Sequence, residues 1–208
     1  KVLKKFPQTH LLVDAVSSMA GIKIDVDSIG IDFILSSTQK AWGLPAGFSV
    51  AAVSDRLIDR SKKIKNKGYI LSVNTYEKYY SKNQTPYTPS IPHLFGLKKV
   101  LDIIFQEGLE NRWKRHKELA EIVRGWAIRM GQSLYAEEGC LSSTVTSINN
   151  NMDWDINAIN ERLLDRGFRM DRGYGDLKGK VFRIPHMGNI YAEDLLEYLN
   201  IFEECIDA

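Results

Sequence analysis

Ser36-Ser37-Thr38-Gln39-Lys40-Ala41-Trp42-Gly43-Leu44-Pro45-Ala46-Gly47 is the stretch on which the rest of the chain hangs. An apolar run at 31–35 leads into it and a second, at 48–53, leads out. Two buried strands joined by a polar, turn-rich crossing carry a loop at the strand ends. One lysine sits in that loop, among small polar residues and before a Gly/Pro turn. Most loop lysines are simply solvated. A lysine held by a stiff scaffold is also a candidate reactive amine, because a partly desolvated ammonium forms imines with carbonyl compounds.

A second stretch favours the reactive reading. Residues 11–13 are apolar and lead to Asp14, which lies 26 residues before Lys40. That is room for one strand-to-strand connection, so both residues can sit at one edge of a parallel sheet. Ligands of open α/β sheets bind at that edge, outside the carboxyl ends of the strands. A lysine and a carboxylate there suit pyridoxal 5'-phosphate. The amine holds the aldehyde, and the carboxylate keeps the pyridine nitrogen protonated.

Asp14-Ala15-Val16-Ser17-Ser18, followed by Ser37-Thr38-Gln39-Lys40 and a Gly/Pro turn, resembles the class V aminotransferases. The likeness is to the alanine–glyoxylate and serine–glyoxylate group. Thr85-Pro86-Tyr87-Thr88-Pro89-Ser90 and Phe182-Arg183-Ile184-Pro185-His186-Met187-Gly188-Asn189 continue it in order along nearly the whole chain. The resemblance implies an α/β chain. Its first part is the C-terminal portion of the large fold type I pyridoxal-phosphate domain, and a small α+β C-terminal domain follows. The expected divisions are 1–92 for the large-domain part, 93–130 for linking helices and 131–208 for the small domain.

The resemblance also implies roles. Lys40 is the Schiff-base lysine and the base that moves the substrate proton. Asp14 is the partner of the pyridinium nitrogen, buried beside a cation and therefore ionised. Val16 packs on the ring. Gln39, with Thr38 beside it, donates to the phosphate. Thr88 reaches the phosphate of a neighbouring subunit, which makes the enzyme a homodimer. Arg183 binds the substrate α-carboxylate with its planar fork; the competing reading is an ion pair with an acidic residue such as Asp176. His186 is a loop residue of the same mouth. The implied reaction moves an amino group between a small amino acid and a small 2-oxo acid, such as glyoxylate or pyruvate.

Two other readings stand beside this one. A lyase of the cysteine desulfurase kind needs a cysteine on a mobile loop, and neither Cys140 nor Cys205 is so placed in the pattern. An inactive or partner-dependent fragment is the third. The chain opens without methionine on what reads as a helix end, and the family's N-terminal half is not represented. The expectation is therefore a C-terminal piece of an aminotransferase that needs the other half.

Composition narrows the field. Twenty-eight basic and 26 acidic residues leave a net charge of +2, which gives no reason to invoke nucleic acid or a membrane surface. No apolar run approaches the roughly 20 residues of a membrane span, and no signal-peptide pattern is seen. The two cysteines form neither a disulfide framework nor a metal-ligand spacing, and no histidine spacing suggests a metal. They read as free thiols of a cytoplasmic protein.

Patterning places helices at 55–65, capped by Ser54, and at 155–166. A 3.6-residue pattern from 93 to 130 reads as one bent helix or two in series, with Gly108 as the break. Residues 191–206 form a last amphipathic helix burying Leu195, Leu196, Leu199, Ile201 and Phe202. Further strands are expected at 10–16, 133–136, 145–149, 168–170 and 181–184.

Overall fold

Leu12–Asp14, Phe33–Ser37 and Ser49–Val53 form strands β1, β2 and β3 of one sheet. These elements belong to a computed structural model that describes residues 2–207. The strands run in the order β1-β2-β3, with β1 parallel to β2 and Asp14 opposite Leu35. β3 returns antiparallel to β2, with Ser37 opposite Ser49. The reversal uses Gly43 at φ 73° and Gly47 at φ 122°, a backbone region that side chains disfavour. β1 is shorter than the 10–16 expected from the apolar run.

Asp32 fixes the other end of this sheet. Its buried carboxylate accepts from the Leu11 amide at 2.9 Å, from the Ser54 hydroxyl at 2.8 Å and from the Arg56 guanidinium. Leu11 precedes β1, Asp32 precedes β2 and Ser54 follows β3, so one side chain pins three strand ends. The Arg56 hydrogen bond, set against burial and helped by Leu11 and Ser54, holds this carboxyl far below the usual range.

The remaining helices of this part are short until the last. α1, Val26–Ile29, ends on Gly30 at φ 78°. α2, Asp55–Lys62, is capped by Ser54, whose side chain accepts from the Leu57 amide. α3 is Val73–Tyr80. α4, Ile91–Glu107, begins two residues earlier than the periodicity implied. Pro92 therefore lies in its first turn, where no intrahelical N–H is lost.

The chain forms two units, one built on residues up to Met19 and Ile24–Ile103, the other on Ala20–Lys23 and everything from Ile104 onward. The division thus runs through α4. Gly108 at φ 83° breaks α4 from α5, Leu109–Arg129. The two helices within 93–130 are shared between the units, with the division at Ile103 and Ile104. Leu119, Val123 and Trp126 of α5 are buried in the core of the second unit.

That unit carries a second antiparallel sheet, β4-β5-β6, from Ser133–Leu134, Val145–Asn149 and Val181–Pro185. α6, Ile156–Asp165, starts on Asp155, whose carboxylate accepts from two amides, and α7 is Ala192–Asp207. Trp126, Phe182 and Phe202 meet in its core, with ring centroids 5.1 Å apart for Trp126–Phe202 and 5.8 Å for Phe182–Phe202. Residues 168–170 form no strand; only Asp171 bridges to Arg183. Leu196 is 47% exposed rather than on the buried side of α7. Among the described residues, no helix is long and apolar enough to cross a membrane.

Candidate active site

Lys40 lies in a double turn just past the end of β2. Its amide donates to Ser37 O at 3.2 Å, and its carbonyl accepts from Gly43 at 2.9 Å. Thr38 O accepts from Leu44, and the Thr38 amide donates to Phe48 O, so the crossing is closed on itself. The Trp42 indole donates to Ser36 Oγ at 3.1 Å, and Ser36 Oγ donates to Val16 O at 3.1 Å. This relay joins the lysine loop to β2 and to the segment after β1. Ser36 and Ala41 are wholly buried, while Lys40 itself is half-buried. Its amine makes no hydrogen bond or ion pair among the described residues.

α4 supports the same loop from its first turn. His93 bridges Ser90 Oγ, 2.7 Å from Nδ1, and Ala46 O, 3.1 Å from Nε2. An Nε2–H that donates to the carbonyl leaves Nδ1 to accept from the serine hydroxyl. The ring also stacks on Phe48 at 5.9 Å. The Thr85–Ser90 motif is thereby tied to the Lys40 loop, a link that the sequence did not announce.

Asp14 ends β1, at the same carboxyl edge of the parallel pair that Lys40 follows. Its carboxylate is exposed, not buried as expected, and accepts from the Val16 amide at 2.9 Å. Val16 is half-buried and Gln39 exposed.

Thr38 requires a correction. Its hydroxyl is fully buried and directed at Pro45 O, 2.8 Å away, and Phe48 O, 3.1 Å away. One O–H spent on backbone carbonyls closes the loop and leaves no donor for a phosphate. Thr88 is exposed in the extended segment before α4, and its hydroxyl has no partner among the described residues.

In the second unit, Arg183 stands on β6 opposite Ser147, between Phe182 and Ile184, which are buried. Strand alternation turns Arg183 to the other face. Its side chain is 42% exposed. The competing reading, an ion pair with an acidic residue, is what the fold shows. Arg183 Nε lies 2.9 Å from Asp171 Oδ1, and Nη2 lies 2.6 Å from Asp171 Oδ2. The partner is Asp171, not Asp176.

The loop after β6 is held by α5. His116 Nδ1 pairs with Arg112 O at 2.8 Å, and its Nε2 accepts from the Gly188 amide at 3.0 Å. Arg115 donates to Gly188 O at 3.1 Å and to Ile190 O, and its Nε is 2.7 Å from Glu107. His186 is fully buried against the Thr146 hydroxyl at 2.9 Å, a packing residue rather than part of an open mouth. Cys140 is exposed and Cys205 buried, both free. Among the described residues, no group of three or more His, Cys, Asp or Glu side chains could hold a metal.

The model of the family described as aminotransferase class-V matches residues 1–155. An uncharacterised aminotransferase of Methanocaldococcus jannaschii is 35% identical over 98% of this chain and 53% of its own length. Serine–glyoxylate aminotransferase of Arabidopsis thaliana is also 35% identical, over 89% of this chain and 47% of its own. The crystal structure of alanine–glyoxylate aminotransferase from Nostoc sp. superposes with a TM-score of 0.91 at 30% identity, covering 98% of this chain and 55% of that one. The chain thus spans about half the length of the relatives it matches, and its architecture is the C-terminal part of a fold type I enzyme. On the family match across three quarters of its residues, the chain belongs to the class V aminotransferases.

Proposed function

We propose that this chain contributes the lysine edge of a pyridoxal-phosphate aminotransferase that acts on a small amino acid and a small 2-oxo acid. One observation carries the reading: Asp14 and an unengaged Lys40 follow parallel, adjacent strands at the same carboxyl edge. Pyridoxal 5'-phosphate is the cofactor of the family. When bound, it supplies an aldehyde for attachment to an amine and a pyridine ring that accepts electrons. The donor set fits these two groups. An amine with no competing carboxylate can hold an aldehyde, and an exposed carboxylate can hold a ring N–H. The phosphate is less well served, since Thr38 is spent and Gln39 remains. Polypeptide outside these residues, including Thr88 of a second copy, completes the site in this reading.

Each residue then has a defined task. Lys40 Nζ would hold the aldehyde of the cofactor and would serve as the base for the substrate proton. The Ser36–Trp42 relay and His93 keep its backbone from drifting, because a rigid supporting shell preserves reactive geometry. Asp14 would keep the ring nitrogen protonated by accepting its hydrogen bond. Val16 offers an apolar surface to the ring. Arg183 would take the substrate carboxylate on its planar fork, a fit that lysine lacks, although both of those N–H groups meet Asp171 in this structure.

The test is a transamination assay on the intact gene product, with alanine or serine as donor and glyoxylate or pyruvate as acceptor. Asp14→Asn should lower turnover about 10- to 100-fold, the usual worth of a hydrogen bond to a charged group, while cofactor stays attached. Full activity in that variant would remove Asp14 from the site. The dimer is tested by sedimentation. The active species should be a dimer, and Thr88→Ala should weaken cofactor binding about tenfold. A monomer with full cofactor affinity would contradict the shared site.

A further inference from the structure

The Arg183 fork already holds a carboxylate. Asp171 meets it with one oxygen on Nε and the other on Nη2, the two-bond geometry in which a guanidinium takes any free carboxylate. We propose that Asp171 is an internal competitor for Arg183, a displaceable latch that a substrate carboxylate must exchange with. The inference rests on the reading of Arg183 as the substrate-carboxylate residue.

Three features make exchange feasible. First, the pair is open to water, with Arg183 42% and Asp171 36% exposed, so solvent screens it and the pair is weak. A deeply buried pair would resist a dilute ligand; this one does not. Second, the released carboxylate has somewhere to go. Asp171 lines a cavity of about 430 Å³ together with Arg169, Arg172 and Lys178. Three cations around that cavity compensate the charge that leaves the fork.

Third, the backbone stays in place when the side chain turns. Asp171 O accepts from the Arg183 amide at 3.2 Å, and Gly179 donates to Arg172 O at 3.0 Å. Gly173 sits at φ +81°, where an added Cβ would lie 2.3 Å from Val181 O and 2.6 Å from Leu177 O. The turn is therefore specified by its own backbone, which stays in place as the Asp171 side chain turns. In its turned-in state Asp171 also accepts from the Gly173 amide at 3.0 Å. An asparagine preserves that acceptor while losing the charge.

The experiment is steady-state kinetics on the intact, cofactor-loaded gene product, with Asp171→Asn, Asp171→Ser and Arg183→Lys, and with propionate as a simple carboxylate inhibitor. Both Asp171 variants should lower KM for the amino acid and for the oxo acid about two- to fivefold, with kcat little changed. The inhibition constant of propionate should fall by the same factor, and Arg183→Lys should raise all three. If Arg183→Lys raises them but the Asp171 variants leave them unchanged or higher, the latch is wrong and the substrate role of Arg183 stands. If Arg183→Lys leaves KM for both substrates unchanged, the reading of Arg183 itself fails. Asp171 variants that do not fold would make the residue structural and overturn the latch.

Discussion

Replacing Lys40 with alanine should lower turnover of the complete enzyme by at least about 10³-fold, because a covalent attachment point and a general base worth 10²–10⁴ are lost together. The fold should survive. Lys40 makes no side-chain hydrogen bond among the described residues, and its loop is held by Thr38, Ser36, Trp42 and His93 instead. Melting of the variant should therefore match the parent within about 0.5 kcal/mol, the usual range for a surface change. Activity is the assay, and an unchanged thermal midpoint is the control. A variant with more than a tenth of parental turnover would rule out both roles.

Acid should destabilise the second unit progressively as pH falls from about 6.5 toward 4. Burial pushes both His116 and His186 down to about 4, with nearby cations adding to the effect. The geometry explains His116. Its Nε2 accepts from the Gly188 amide, so a proton there would set N–H against N–H, with Arg112 and Arg115 close by. In the unfolded chain the same imidazoles take up protons near 6.5. The folded pKa lies below the unfolded one, so the stabilisation is complete above about pH 6.5 and is lost as pH falls toward 4. Complete loss would cost roughly 3 kcal/mol per histidine. Denaturant midpoints at about pH 7 and about pH 4.5 measure it. His116→Gln should flatten the dependence by about half. Stability unchanged across that interval would show that the two rings are not held neutral. Asp32 acts in a different window: its carboxyl lies far below the usual range, so its contribution fades only once unfolded aspartates protonate.

Much of this was readable in the residues, for physical reasons. The apolar runs flanking 36–47 and the Gly/Pro turn specified β2, β3 and their antiparallel return, because Gly43 and Gly47 need positive φ. The distance from Asp14 to Lys40 allowed a parallel crossover, and β1 and β2 pair that way. Caps announced α2 and α6, since Ser54 and Asp155 offer oxygens to free amides. What was not readable was which partner each polar group would find. The hydroxyl of Thr38 could have faced a phosphate; the folded loop turned it to Pro45 and Phe48. The acidic partner open to Arg183 in the sequence was Asp176; strand alternation put the guanidinium on the face of β6 where Asp171 lies. His93, His116 and Asp32 carried no spacing signal, because their partners lie far away in sequence. Trp42 and Ser36 stood inside the quoted stretch, but their relay to Val16 appears only once β1 and β2 are side by side.

The central claim is that Lys40 is the amine that holds the cofactor. Borohydride reduction of the cofactor-loaded gene product, followed by peptide mass mapping, tests it directly. The account predicts one pyridoxyl-phosphate adduct, on the peptide containing Lys40, absent in Lys40→Ala and retained in Asp14→Asn. An adduct on a peptide carrying another lysine, such as Lys23 or Lys82, with Lys40 unmodified, would contradict it.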